Sequence, residues 1–197
     1  MKNMMLAMGM AVGLCGAAWA VTGQAVVASE RTSLFDGTTL TGWKLLRCEA
    51  VVTNGMILIK AGNGMVQSEK KYGDFIFECE WKALKAEKWD SGIYFRYDDN
   101  FHGKPWPPRY QANLKQGDEG NVSDLKGAKS TGLTKPHEWN TLKLTVRGTH
   151  AELEINGKLA WKSEGLGSVA DSHIGLQAEV PAGGQHLFKN IFITELK

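Results

Sequence analysis

Hydrophobic residues that recur at every second position, with turn signals between the runs, set the strongest limit on what this chain can fold into. In Phe75–Trp81, Phe75, Phe77, Cys79 and Trp81 fall on one face and Glu78 and Glu80 on the other. Leu142, Leu144 and Val146 alternate with Thr141, Lys143, Thr145 and Arg147. A further run, Ala151–Ile155, ends at Asn156-Gly157 and continues into Leu159 and Trp161. Asn-Gly between two alternating runs is the strongest short hairpin signal, because both central residues need φ > 0. The last strand is expected over about Leu187–Leu196, with apolar residues on both faces. Helical periodicity is nearly absent; its one candidate, Ala83–Lys88, is short and sits between strands. Many short strands with Gly, Asn and Asp turns predict an all-β sandwich or jelly roll of two antiparallel sheets.

The amino terminus follows a different rule. Lys2 precedes an apolar, small-residue run from Met4 to Ala20. Ala18-Trp19-Ala20 fits an A-x-A cleavage site, and Val26-Val27-Ala28 is a second option. This predicts a secretory signal peptide over residues 1–28, cleaved after Ala20 or Ala28, and a secreted or periplasmic product. The run is shorter than the roughly 20 residues of a membrane span. Lipidation at Cys15 is disfavoured because Leu14 is not small. Residues 29–197 then form a single domain, large enough to bury most of its apolar surface. Cys48 and Cys79 remain, as one disulfide or two separate thiols. A net charge of +2 is too slight to argue for nucleic acid or an anionic membrane. The chain has no phosphate-binding glycine loop, CxxC, HExxH or G-x-S-x-G.

In a sandwich, one face of each sheet fills the core and the other can curve into a ligand groove. Residues out of phase with the apolar ones line that groove. Tyr94 and Arg96 share this face on a strand expected over Ile93–Tyr97, beside the turn Asp90-Ser91-Gly92. Gln111 and Asn113 qualify on Tyr110–Leu114, and Gln177 and Glu179 on Ile174–Glu179. Planar amides and a guanidinium suit vicinal hydroxyls, and aromatic rings suit the C–H face of a sugar. An ordinary solvated sheet face would show the same pattern. Pro105-Trp106-Pro107-Pro108 is a rigid loop, since proline lacks the ladder donor; Gln116–Pro136 is a second long loop. Trp89 and Trp106 are the platform candidates, whereas Trp43, Trp81, Trp139 and Trp161 are expected in the core. The five histidines lack metal-ligand spacing. His186 stands out, near Gly183-Gly184 and close in sequence to Glu179.

An ordered set of motifs resembles one known family. Ser33-Leu34-Phe35-Asp36-Gly37-Thr38-Thr39-Leu40-Thr41-Gly42-Trp43 is similar to its opening LF-[DN]-G-x-x-L-x-G-W. Tyr72-Gly73-Asp74-Phe75, Asp90–Arg96, Glu138-Trp139-Asn140, Ile155-Asn156-Gly157, Gly175-Leu176-Gln177 and Phe188-Lys189-Asn190-Ile191 follow in order. The family is the 3-keto-disaccharide hydrolase domain family, with a concanavalin A-like jelly-roll fold. The resemblance implies cleavage of glycosides whose C3 hydroxyl is oxidised to a ketone. The ketone acidifies the C2 proton; a base removes it, the enolate oxygen is stabilised, and the C1 substituent is expelled. Arg96 suits the oxyanion, and a divalent metal could serve instead.

The chain departs from the family where Y-E-x-Q-[IL]-x-D becomes Tyr110-Gln111-Ala112-Asn113-Leu114-Lys115-Gln116. An amide cannot be a general base. Ala178-Glu179 stands where the family often has D-H, and Asp90 where it usually has Asn. Glu179 is therefore the expected base, with Asp90 at the rim and Glu80 on a neighbouring strand. The expected catalytic residues are Glu179 and Arg96. Tyr94, Asp90, Gln111, Asn113, Gln177, Trp106 and His186 are expected to bind substrate. The partner is expected to be an oxidised glycoside, not nucleic acid or, for the mature chain, a membrane. The alternative is a non-catalytic carbohydrate-binding module of the same fold.

Overall fold

The structure is a computed structural model that describes residues 29–167 and 170–197. The expected signal peptide, with its cleavage sites and Cys15, lies outside the described residues. Eleven antiparallel strands, and no helix, form among those residues. They are β1 (Thr32–Ser33), β2 (Trp43–Thr53), β3 (Met56–Ser68), β4 (Phe75–Ala83), β5 (Gly92–Tyr94) and β6 (Gln111–Asn113). After these come β7 (Asn140–Arg147), β8 (His150–Ile155), β9 (Lys158–Ser163), β10 (Gly175–Val180) and β11 (His186–Glu195).

The sandwich is built from one hydrogen-bonded path, β6-β5-β10-β3-β11-β4-β7-β8-β9. The long strand β3 serves both layers. Its first half, Ile57–Ile59, pairs with Phe188–His186 of β11, and its second half, Gly62–Gln67, pairs with Val180–Gly175 of β10. The bend between the halves is glycine-dependent. A Cβ on Gly64 would lie 1.9 Å from the Leu46 carbonyl oxygen, and one on Gly62 would lie 2.6 Å from that of Arg47. On the partner strand β2 the register shifts around Arg47, whose φ is 53°. A bulge there turns the strand pair from one layer into the other. The front layer is thus β6-β5-β10 with the second half of β3, and the back layer is β11-β4-β7-β8-β9 with the first half.

The alternating runs meet in the core. Phe75, Phe77, Cys79 and Trp81 of β4 pack with Leu142, Leu144 and Val146 of β7 and Leu153 and Ile155 of β8. Ile93, Ala112, Leu176 and Ala178 of the front layer face them, all buried. Each large apolar side chain withdrawn from water in this way contributes about 1.5–3 kcal/mol. Asn156 and Gly157 take φ of 52° and 71° and close the β8–β9 hairpin as expected.

Several local expectations need correction. Ala83–Lys88 is the end of β4 followed by a bend, because it has too few residues to repay helix nucleation. Apolar residues occupy both parities of β11 because of a bulge: the register shifts between Lys189 and Phe192, with Asn190 at φ 49°. Phe188 before the bulge and Ile191 and Ile193 after it therefore face the same core. Trp139 is only partly buried and carries the Lys189 Nζ 4.1 Å from its ring centroid. Cys48 and Cys79 are separate free thiols, the second fully inside the core.

Candidate functional site

The outward face of the front layer collects the out-of-phase residues. Register pairs Asn113 with Gly92 and Gln111 with Tyr94 across β6 and β5. It pairs Tyr94 with Gly175 across β5 and β10, and Gln177 with Met65 and Glu179 with Asn63 across β10 and β3. Continued by two and four residues, the β5–β10 register brings Gln177 beside Gly92 and Glu179 beside Asp90. Lys115, of the same parity as Gln111 and Asn113, joins this end, with Nζ 3.7 Å from Asp90 Oδ2.

Two glycines shape the surface. Gln111 lies across Gly92, where an added Cβ would sit 2.1–2.6 Å from its side-chain atoms. A Cβ on Gly175 would sit 2.4 Å from the Met65 methyl carbon. Gln111 Nε2 donates to Gln177 Oε1 at 2.5 Å, and Gln177 Nε2 donates to Glu179 Oε2 at 3.2 Å. An amide chain therefore runs over the gap at Gly92 and ends on the carboxylate. Gln177 is 3% exposed, so its hydrogen bonds are shielded from water.

The acidic end is built by the turn after β10. The Gly183 amide donates to the Glu179 carbonyl, and the Asp90 amide donates to the Gly183 carbonyl at 2.9 Å. A Cβ on Gly183 would sit 2.3 Å from the Asp90 carbonyl oxygen, so the close approach requires glycine. Lys85 Nζ donates to the Ala182 carbonyl of the same turn. Burial raises the pKa of Asp90, against the opposing charge of Lys115. Burial also raises that of Glu179, and the Asp90 charge adds to it, while Lys115 and Lys85 act in the other direction.

A second apolar cluster roofs part of this face. Met65, Tyr94 and Tyr97 are buried together, with Leu46, Phe101 and Trp106 packed against them. The Tyr94 and Tyr97 rings meet edge-on with centroids 6.2 Å apart, and the Tyr97 hydroxyl bonds Gln67 Oε1 at 3.0 Å. Burial raises the Tyr94 phenol pKa, and the charges of Asp90 and Glu179 raise it further. The Trp106 loop then overhangs a cavity of about 230 Å³, lined by Tyr94, Trp106, Gln111 and Asn113 with Lys104, Arg109 and Asp124, while Asp90 and Glu179 lie outside its wall on the same face. It is smaller than the roughly 300–1,000 Å³ of drug-sized sites.

The structure thus gathers Asp90, Tyr94, Gln111, Asn113, Gln177, Glu179 and Trp106 on one face. It does not bring Arg96 there. Strand β5 stops at Tyr94, and Arg96 takes φ 51°, which breaks the alternation that had put it beside Tyr94. Its fully buried guanidinium donates from Nη2 to Asp74 Oδ1 at 2.6 Å, an oxygen that also accepts the Gly148 amide. His186 is likewise interior. It is 1% exposed, lies between Trp81 and Phe188, and burial lowers its pKa to about 4. Trp89 is buried in the main core and is not a platform. Glu80 lies on the back layer, bonded by Asn190 and 3.3 Å from Lys189. Among the described residues no group of three or more His, Cys, Asp or Glu side chains is arranged to hold a metal ion. Lys115 and the role of Gly92 escaped the sequence reading, although parity with Asn113 and Tyr94 marks both.

A family model described as the 3-keto-alpha-glucoside-1,2-lyase-like domain matches residues 30–194. No curated protein matches the chain. Among solved structures, a proposed glycosyl hydrolase from Parabacteroides distasonis is similar with a TM-score of 0.69 at 19% identity, covering 85% of this chain and 94% of that one. A carbohydrate-binding module from Bacillus subtilis is similar with a TM-score of 0.59 at 16% identity, covering 77% and 94%. A Bacillus subtilis protein with a galectin-like fold gives 0.61 at 10% identity, covering 86% and 96%. At these identities the structural likeness concerns the fold alone. The family match spans nearly the whole described chain, and the chain belongs to the 3-keto-alpha-glucoside-1,2-lyase-like domain family.

Proposed function

We propose that the protein cleaves 3-keto-glycosides by elimination across C1 and C2, with Glu179 as the base. The observation that carries the reading is the carboxylate pair on the front face. Glu179 and Asp90 are half-buried side by side, and each is pushed toward its neutral form by burial. Two neighbouring carboxyls that resist joint ionisation can divide base and acid work. Glu179 takes the C2 proton of the ketone. The electron pair moves into the C2–C3 enolate, whose oxygen is stabilised by the Lys115 ammonium in place of the interior Arg96. The enolate expels the C1 oxygen, which takes a proton from Asp90. Water then adds at C1 and a proton returns to C2, so the net change is hydrolysis. Asn113, Gln111 and Trp106 hold one part of the substrate in the cavity, and its keto sugar extends along the front face to Glu179 and Asp90. Family membership and the overlap in fold with a carbohydrate-binding module both support a carbohydrate ligand. The signal-peptide pattern of residues 1–28 suits an exported protein, to be tested by the amino-terminal sequence of the protein recovered outside the cytoplasm.

The test is to incubate the purified chain with a 3-keto-disaccharide and with the unoxidised disaccharide and to follow release of the leaving sugar. Cleavage of the keto form alone is expected. Binding of either sugar without cleavage would sink the enzyme reading. It would favour a binding module, for which the amides of Gln111 and Gln116, standing where the family has carboxylates, speak.

A further inference from the structure

We infer that Gln111 is a positioning residue for Glu179, acting through Gln177, and that Gly92 is small so that Gln111 can reach across the sheet. The inference rests on the reading of Glu179 as the base.

Two strands carry the chain of donors and a third lies beneath it. Gln111 stands on β6, Gln177 and Glu179 on β10, and β5 lies between them with Gly92 at the crossing point. Any side chain at residue 92 would occupy the path, since its Cβ would fall 2.1 Å from Gln111 Nε2. The direction of the donors is fixed at its far end. An ionised carboxylate only accepts, so the Gln177 amide presents Nε2 to Glu179 and its oxygen to Gln111. Gln111 must then present Nε2 to Gln177, and it does; a more distant contact of the same nitrogen is the Ser91 carbonyl at 3.5 Å. This leaves Gln111 Oε1 as the acceptor available to a ligand hydroxyl in the cavity it lines. Ligand and base are thereby coupled through two amides. A hydroxyl donated to Gln111 polarises the chain toward a stronger donor at Glu179 Oε2. Glu179 Oε1 is left for the C2 proton. The other charged and titratable groups facing Glu179 are Asp90, Lys115, Lys85 and the Tyr94 phenol; none of them bonds the amides.

The experiment compares Gln111→Ala, Gly92→Ala and the double variant with the unaltered chain. The readouts are the carboxyl titration of Glu179 by carbon-13 NMR and the pH profile of cleavage. Losing the donor disfavours the ionised carboxylate. Gln111→Ala should therefore move the Glu179 midpoint and the acid limb of kcat to higher pH, with kcat falling more than KM rises. Gly92→Ala should do the same with the amide still present, because it blocks the path. In the double variant the obstacle has nothing to block, so the two effects should not add. A Glu179 midpoint unmoved in both single variants, or fully additive shifts, would overturn the inference. NMR titration reads the coupling whether or not the chain turns over substrate. A shifted midpoint in a chain that cleaves nothing therefore keeps the coupling and removes the enzymatic reading. Normal cleavage with an unmoved midpoint does the reverse.

Discussion

The two layers of the sandwich treat charge in opposite ways. On the outward face of the back layer the acidic side chains are neutralised by close cations. Glu78 meets Arg31 at 2.6 Å, Glu154 meets Lys143 at 2.7 Å, Glu152 meets Lys162 at 2.6 Å, and Glu80 meets Lys189 at 3.3 Å. Such exposed pairs add little stability and keep the surface soluble. On the front face, Glu179 has amides where the back face has ammonium groups, and a second carboxylate beside it. Burial and the Asp90 charge there raise the Glu179 pKa more than Lys115 and Lys85 lower it, which favours a carboxylate that takes up a proton. Same sheet geometry, same alternation: only the partners differ.

The largest effect that would separate the faces is on turnover. Glu179→Gln should lower kcat by about 10²–10⁴-fold, the range for losing a general base, while sugar affinity is largely kept. Unchanged turnover of the keto substrate would remove Glu179 from the chemistry. Arg96 belongs to neither face, and Asp74→Asn tests that placement. Taking the carboxylate from a buried guanidinium should cost about 3 kcal/mol, or about 10 °C in Tm. A variant that melts like the parent would return Arg96 to solvent. Trp106→Ala removes the wall of the cavity and should weaken sugar binding roughly three- to tenfold, as read by calorimetry. Glu154→Gln, the matched change on the back face, should shift stability by less than about 0.5 kcal/mol and leave turnover alone.

The smallest effect concerns pH. Asp90 and Glu179 are raised in the folded state, so the stability they confer is present below their unfolded pKa values and lost as pH rises through the folded ones. Glu179→Gln removes one of these losses. Its Tm should exceed the parent's by about 1 °C at pH 7, and the difference should close below about pH 4. A lower Tm at pH 7 would mean that Glu179 is stabilised as an anion, like its counterparts on the back.

The strands and their faces were legible because period two is written directly in the side chains, as in Phe75–Trp81. What escaped were the places where backbone breaks the period without a glycine to announce it. Arg96 at φ 51° turns inward, and Asn190 at φ 49° shifts β11 by one parity. Trp89 and His186 were illegible for another reason: whether a loop residue or a strand's first residue is covered depends on what folds over it. The front-face set was legible by parity, and Glu179 could be singled out because it is the remaining acid in phase with the amides. The amide chain could not be foreseen, since it depends on the strand order β6-β5-β10, which places Gly92 between two glutamines distant in sequence.

The most direct measurement uses a 3-keto-glycoside carrying deuterium at C2. If Glu179 removes that hydrogen, cleavage should be slower than with the unlabelled substrate, and the released keto sugar should carry solvent hydrogen at C2. Glu179→Gln should slow cleavage and wash-out together, by the same about 10²–10⁴-fold. Cleavage at the same rate with deuterium retained in the product would contradict elimination and leave the front-face carboxylates without the role assigned to them.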